Sequence, residues 1–341
     1  MDMHTKLGRR ARQLKARANL ALKWAAYEAG LTHGPFHPDR LYVESTSFCN
    51  LHCVMCPTGI GTIKRPKGYM DMQLFRQIVD EVQPNAPAIV LHSWGEPMMH
   101  PKLFQMIEYA RKADLWTETS TNITLLTEER ARRAMDAGLS QLFLAMDGVT
   151  KETYERVRVG GNFDTVVRNV ERLLELKRER GSKMRIVLQI IAMRETHAEV
   201  EEFVRRWTRD EVDQVNVKHL DTWGDQEAAI TSHALAKEEP PVRRACPNLW
   251  YHGYIFWDGS LVSCERDYDL RTPLGNVKDG VLNAWHGAQM RRLRKHHVDG
   301  DFAAPACQNC VEWSWWTPTP FRSAGTAPRV ETHEASQPDA G

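Results

Sequence analysis

Three cysteines crowd one short stretch, Cys49, Cys53 and Cys56, within the text TSFCNLHCVMCPTG. The spacing is Cys-x3-Cys-x2-Cys. On a single loop, three thiolates can occupy three corners of a cubane iron–sulfur cluster. The fourth iron is then left without a protein ligand and open to another molecule. Two other readings suit the same residues: three buried thiols, or zinc completed by His52 or His92. Spacings of four and three also align side chains on one helix face, but Pro57, Thr58, Gly59 and Gly61 favour a loop. Four further cysteines lie far downstream: Cys246, Cys264, Cys307 and Cys310. An odd total of 7 makes a poor disulfide framework. With no apolar signal-peptide core at the N-terminus, clustered thiols read better as metal ligands in a reducing compartment, the cytoplasm.

The rest of the composition sets limits. The 341 residues carry 45 Lys plus Arg against 44 Asp plus Glu, a formal net charge of +1, which argues against a dedicated nucleic-acid binder. No apolar run is long enough to span a bilayer. A chain of this length buries enough surface to fold without disulfides.

Something must hold the thiols in place, and the sequence alternates strands and helices from residue 40. LYVEST (41–46), AIVLHS (88–93), LWTETS (115–120), QLFLAM (141–146), RIVLQIIAM (185–193) and VDQVNVKHL (212–220) read as strands. Helices are expected at 71–82 with Asp71 as cap, at 101–113, from Thr127 to Gly138, at 163–180 ending at Gly181, and at 198–209. Six such units imply an α/β fold with a parallel sheet, either open and doubly wound or a barrel. In a barrel, functional groups sit after the C-terminal ends of the strands. Before this core, 1–39 holds a basic amphipathic helix at 5–28. Its stripe is Leu7, Ala11, Leu14, Ala18, Ala21 and Ala25, with Arg9, Arg10, Arg12, Lys15 and Arg17 largely off it. A mostly alanine stripe buries little area, so the helix is expected to pack on the main domain. Contact with an anionic membrane surface or a partner is the other use. Residues 221–245 read as a linker. From 246 to 316 the text is rich in Cys, Trp and Gly, with a hairpin at 254–264 turning on a type I′ Asp258-Gly259 pair and a helix at 281–296. Residues 317–341 read as a disordered tail.

The cysteine triplet resembles the signature of the radical S-adenosylmethionine enzymes. In that family the free iron chelates the amino and carboxylate groups of S-adenosylmethionine, and one electron cleaves it to a 5′-deoxyadenosyl radical that abstracts a substrate hydrogen. Met55 stands where the family often places an aromatic residue against the adenine. Ser93-Trp94-Gly95-Glu96-Pro97 is similar to the family's Gly-Gly-Glu-Pro motif, which implies that Gly95 and Glu96 hold the methionyl ammonium. Trp94 replaces the first glycine. At the end of the third strand, Ser120 and Asn122 can hydrogen-bond a ribose; a solvated turn is the plain alternative. MDGVTKETYERVRVGGNF is similar to the text after the family's fourth strand. Ala145 replaces a common serine there, and Asp147 is either a polar contact in the site or a cap of the next turn.

Downstream, Cys246-x12-Gly259-x4-Cys264 followed by Cys307-x2-Cys310 resembles the shortened SPASM domain known as the twitch domain. The resemblance implies a partial (β/α)6 barrel with a small C-terminal iron–sulfur domain, where these four cysteines hold an auxiliary four-iron cluster; structural zinc is the alternative. Four thiolates close the coordination sphere, so such a cluster passes electrons rather than binding substrate. The resemblance therefore implies a radical oxidoreductase that dehydrogenates a sugar or aminocyclitol, with an external one-electron reductant of flavodoxin or ferredoxin type. Peptide crosslinking, decarboxylation, deamination or epimerisation of a nucleoside or sugar, and a non-enzymatic electron-transfer or zinc protein are the alternatives. His92, His100, His219, His252 and His286 are candidate bases that spacing does not separate. Gln189 and Met193 lie on the fifth strand. Trp313, Trp315 and Trp316 are expected to cover the auxiliary site.

Overall fold

The computed structural model describes residues 3–83, 88–235 and 242–319. Among the described residues, nine strands form one sheet in the order β6-β5-β4-β3-β2-β1-β7-β8-β9. They are β1 Arg40–Val43, β2 Ala88–Val90, β3 Trp116–Thr121, β4 Gln141–Ala145, β5 Arg185–Ala192, β6 Gln214–His219, β7 His252–Ile255, β8 Ser260–Val262 and β9 Gly275–Asn276. The first six are parallel, each pair separated by helical chain, which is the partial (β/α)6 architecture. β7 also pairs parallel with β1, Tyr42 beside Tyr254, and the antiparallel β8 and β9 continue the sheet. The cysteine-rich region is thus joined to the barrel by main-chain hydrogen bonds.

Strand alternation sorts the two faces. Leu41 and Val43, Leu142 and Leu144, and Ile186, Leu188 and Ile190 belong to the main apolar core, with Val215 and Val217 packed on it. The opposite face carries Tyr42, Ser120, Phe143, Gln189, Asn216 and Lys218, so it is polar and partly open. Local signals in the sequence fix the helix ends. Asp71 accepts from the N–H groups of Gln73 and Leu74, Thr127 from that of Arg130, and Gly181 closes Phe163–Arg180 in the left-handed conformation at φ 56°.

Four expectations need correction. The N-terminal helix Met3–Glu28 turns the described part of its alanine stripe outward: Leu14 is 66% exposed, and Ala18, Ala21 and Ala25 are exposed too, while the side chains of Leu7 and Ala11 lie outside the described ones. Among its described side chains, from residue 14 on, the buried ones are Asn19, Leu20, Lys23, Ala26 and Tyr27. Polar anchors override the stripe. Lys23 meets Asp39 at 3.0 Å, Asn19 exchanges hydrogen bonds of 3.0 and 2.8 Å with the His37 backbone, and Tyr27 donates to the Ala245 carbonyl at 2.8 Å. Second, the hairpin loop has three residues. Asp258 lacks the positive φ that a type I′ turn needs; only Gly259 has it, at 89°. Gly259 N–H donates to Phe256 O and Phe256 N–H to Ser260 O, the arrangement of a turn followed by a glycine bulge. Third, the helix expected at 281–296 is two helices, Val281–Trp285 and Ala288–Val298. At the break, a side chain on Gly287 would stand 2.9 Å from the Ala284 carbonyl. Fourth, Asp221–Leu235 is folded onto the site rather than a free linker, with Ile230 and Thr222 buried. Residues 236–241 of the expected linker and 320–341 of the expected tail lie outside the described residues.

Candidate functional site

The triplet loop is irregular, as Pro57 and the glycines require, and the chain pins it on both sides. His52 and Val54 donate N–H bonds of 2.8 and 3.1 Å to Val159 and Val157. The hydroxyl of Thr58 bonds the Trp94 carbonyl at 2.6 Å, and Glu96 N–H bonds Phe48 O at 2.8 Å. Two glycines permit this closeness. A Cβ on Gly59 would lie 2.2 Å from the Cys53 carbonyl oxygen, and one on Gly95 would lie 2.1 Å from that of Thr46.

The remaining candidates gather round the loop in different ways. Glu96 is 2% exposed and its carboxylate is spent on the fold. It accepts from Thr121 Oγ1 at 2.8 Å, Asn122 N at 2.7 Å and Met98 N at 3.0 Å, and burial pushes its carboxyl upward against these bonds. It positions Asn122, whose Nδ2 bonds Asn50 Oδ1 at 3.0 Å and reaches 4.0 Å from Cys49 Sγ. Ser120 is half-buried at the end of β3. The Met55 side chain is buried with Leu51, Val157, Met193, Leu220 and Ile230. Asp147 caps nothing; Thr150 caps the next helix. Instead Asp147, fully buried, pairs with Arg158, whose Nε donates at 2.7 Å, and accepts from Ile191 N at 2.7 Å. Arg158 Nη1 lies 3.7 Å from Cys53 Sγ.

Sequence reasoning passed over Arg158 and Trp223. Asp147 and Arg158 flank the helix Lys151–Val157, a signal that charge spacing alone could have supplied. Trp223 sits in the supposed linker, at φ 56°, and its indole N–H donates to the Met55 carbonyl at 3.0 Å. Its ring meets Trp94 edge-on, centroids 4.6 Å apart. Trp223 N–H also bonds Asp221, which pairs with Arg266 at 2.5 Å. Arg266 Nε stands 3.5 Å from Glu312, and Glu312 accepts from Cys310 Sγ at 3.1 Å. A continuous polar chain therefore links the triplet loop to the second cysteine set.

Those four cysteines, Cys246, Cys264, Cys307 and Cys310, line one pocket together with Arg243 and His297. Trp313 lines it too, as expected. Trp315 packs on Arg266, centroid distance 5.4 Å, but Trp316 stacks on His252 instead. Burial pushes the Cys53 and Cys246 thiols up to about 12, and raises Cys49, Cys264, Cys307 and Cys310 as well. Such buried thiols are protonated near neutral pH unless a cation stabilises the thiolate, so both donor sets suit iron and loading releases protons. Among the described residues, no three His, Cys, Asp or Glu side chains converge on a single ion, and His52 is exposed.

Most candidate bases are already engaged. His100 Nε2 meets Met70 O at 3.0 Å, His286 Nε2 meets Phe36 O at 2.8 Å, and His252 Nδ1 meets the Tyr254 hydroxyl at 3.2 Å. His219 is exposed. Burial beside Lys218 and Arg40 lowers His92 to about 3, which keeps it neutral.

Comparison with known proteins bears on both cysteine sets. Residues 43–206 match the Radical SAM superfamily, and residues 246–311 match SPASM, an iron–sulfur cluster-binding domain. The chain is 29% identical to the tungsten-containing aldehyde ferredoxin oxidoreductase cofactor-modifying protein of Pyrococcus furiosus, over 79% of this chain and 86% of that one. It is 34% identical to the AdoMet-dependent heme synthase of Methanosarcina barkeri, over 39% of this chain and only 38% of that one. With the mycofactocin maturase MftC of Mycobacterium tuberculosis it shares 31% identity over 40% of its own length and 34% of that protein's. Among solved structures, BtrN in complex with AdoMet and 2-DOIA has a TM-score of 0.55 at 17% identity, covering 80% of this chain and 93% of that one. Streptococcus suis SuiB bound to S-adenosylmethionine has 0.62 at 11%, covering 80% and 72%. These likenesses are of fold.

Proposed function

The chain belongs to the Radical SAM superfamily and carries a C-terminal SPASM-type iron–sulfur domain, and from that membership we propose that it dehydrogenates an alcohol on a small polar molecule of the sugar or aminocyclitol class. Cys49, Cys53 and Cys56 would hold the S-adenosylmethionine-binding four-iron cluster, and Cys246, Cys264, Cys307 and Cys310 a second one. When bound, these groups supply one-electron chemistry: reductive cleavage of S-adenosylmethionine to a 5′-deoxyadenosyl radical at the first, and an electron sink at the second.

The residues of the chain prepare the site. Gly95 lets β2 close on the triplet loop, so that main-chain groups after the strand can meet the cofactor's ammonium. Glu96 fixes Asn122, and Asn122 with Ser120 offers hydrogen bonds at the rim of β3. Arg158 sets a cation beside Cys53. Tyr42, Gln189, Asn216 and Lys218 on the inner sheet face suit a hydroxyl-rich substrate. The overall change balances: one hydrogen atom goes to the deoxyadenosyl carbon, one proton to a base, and one electron to the second site. An external one-electron donor of flavodoxin or ferredoxin type drives the first step, and the cytoplasm suits its oxygen-sensitive groups.

The observation that carries this reading is the pocket ringed by four cysteines. A group held by four thiolates has no vacant position for substrate, so its use is to pass electrons, which favours net oxidation. The test is a panel of deuterated sugars and aminocyclitols given to the reconstituted enzyme with S-adenosylmethionine and reductant. Deuterium in 5′-deoxyadenosine and a product lighter by two hydrogens is expected. A product isomeric with its substrate, a decarboxylated one, or turnover confined to peptides overturns the dehydrogenase assignment.

A further inference from the structure

The walls of the auxiliary pocket hold buried N–H groups that no atom among the described residues satisfies. His297 is 3% exposed, on the inner side of the helix Ala288–Val298, and lines the pocket. Its Nδ1 accepts the backbone N–H of Cys246 at 3.2 Å, so the ring is neutral there and its proton sits on Nε2. That Nε2 is buried and has no partner. Arg243, also on the pocket wall, is in the same position. Its two terminal nitrogens clamp the loop of the last cysteines, Nη1 to Gln308 O at 2.9 Å and Nη2 to Cys307 O, while Nε is buried and unpartnered. Among the described residues, no carboxylate pairs with Arg243. Arg266, whose own Nε also makes no hydrogen bond, has its charge compensated by Asp221 and Glu312.

A buried N–H without an acceptor is costly, so those of His297 and Arg243 on one pocket wall need an explanation. Four thiolates, with the sulfides of a cluster they would hold, are acceptors of the right kind. Reduction adds a negative charge to such a group, and N–H donors together with an uncompensated guanidinium favour the more negative state. We propose that His297 Nε2–H and the Arg243 guanidinium are positioning groups that raise the reduction potential of the auxiliary four-thiolate site, making it an electron acceptor. This deepens the dehydrogenase reading and rests on it for its purpose, though not for its measurement.

The test uses the full-length chain with Cys49, Cys53 and Cys56 changed to Ala, so that iron loads only at the second site. Its potential is read by a spectroscopically monitored redox titration. His297→Phe and Arg243→Gln are each expected to lower the potential by at least a tenfold fall in the reduced-to-oxidised ratio, about 59 mV for one electron. His297→Gln keeps an acceptor and a donor, and Arg243→Lys keeps the charge; both are expected to recover most of the shift. Unchanged potentials at equal iron content overturn the proposal. So does a folded His297→Phe or Arg243→Gln chain that binds no iron, because the donor would then be needed to hold the group rather than to tune it. If the shifts appear but the complete enzyme yields no oxidised product, the tuning stands and the dehydrogenase reading falls.

Discussion

The guanidinium of Arg158 lies 3.7 Å from the Sγ of Cys53 while its other nitrogens pair with the buried Asp147. One residue thereby joins the triplet loop to the C-terminal ends of both β4 and β5, because Asp147 also holds the Ile191 N–H. Arg158→Met leaves a buried carboxylate without its cation, which costs about 3–5 kcal/mol. Urea unfolding of the iron-free chain should show that loss, with Arg158→Lys losing less. Equal stability of parent and Met variant contradicts the pairing.

Gly95→Ala tests how close β2 comes to the triplet loop. Its Cβ would stand 2.1 Å from Thr46 O and 2.8 Å from Phe48 O, both backbone atoms that cannot swing aside. Overpacking of this kind costs about 1–3 kcal/mol. Expressed in the cofactor site, it weakens S-adenosylmethionine binding by roughly ten- to a hundredfold. Equilibrium dialysis against the reconstituted protein measures this, and an unaltered dissociation constant contradicts the expected close approach.

Lys23 and Asp39 form a buried pair that docks the N-terminal helix, side-chain exposures 0% and 7%. Removing one partner is expected to cost about 3–5 kcal/mol, whereas Lys23→Met with Asp39→Leu should come close to the parent. A double-mutant cycle on the full chain decides it. Additive losses would mean that the pair does not interact.

Trp223→Phe keeps the ring against Trp94 and deletes the N–H to the Met55 carbonyl. The expected loss is about 1–3 kcal/mol, the cost of an unsatisfied buried carbonyl. Limited proteolysis of the iron-free chain should find the triplet loop cut faster than in the parent. An unchanged cleavage pattern argues against Trp223 as the strap.

Features set by neighbours in the chain were legible beforehand. Asp71 and Thr127 begin helices and Gly181 ends one, because capping needs only nearby backbone. The hairpin at Asp258-Gly259 was visible, but its turn type depends on where Asn276 and Leu74 pack around Gly259. The N-terminal helix misled because alanines carry little burial signal, while Lys23, which looks like a surface residue, meets Asp39 only in the fold. Trp223 was hidden in polar text read as a linker. Arg243 and His297 gain meaning only because the fold brings them to the same pocket from 54 residues apart in sequence (297 − 243). The cysteine spacings, by contrast, stand in the sequence itself, and the fold brings Cys246, Cys264, Cys307 and Cys310 to one pocket.

The central claim is that the triplet loop supports reductive cleavage of S-adenosylmethionine. Anaerobically reconstituted protein, loaded with about eight irons if both sites hold four-iron clusters, is mixed with S-adenosylmethionine and a low-potential reductant, and 5′-deoxyadenosine is followed by chromatography. The parent should form it and Cys53→Ala should not. Nucleoside formed at the parent rate by Cys53→Ala, or none formed by fully loaded parent, contradicts the account.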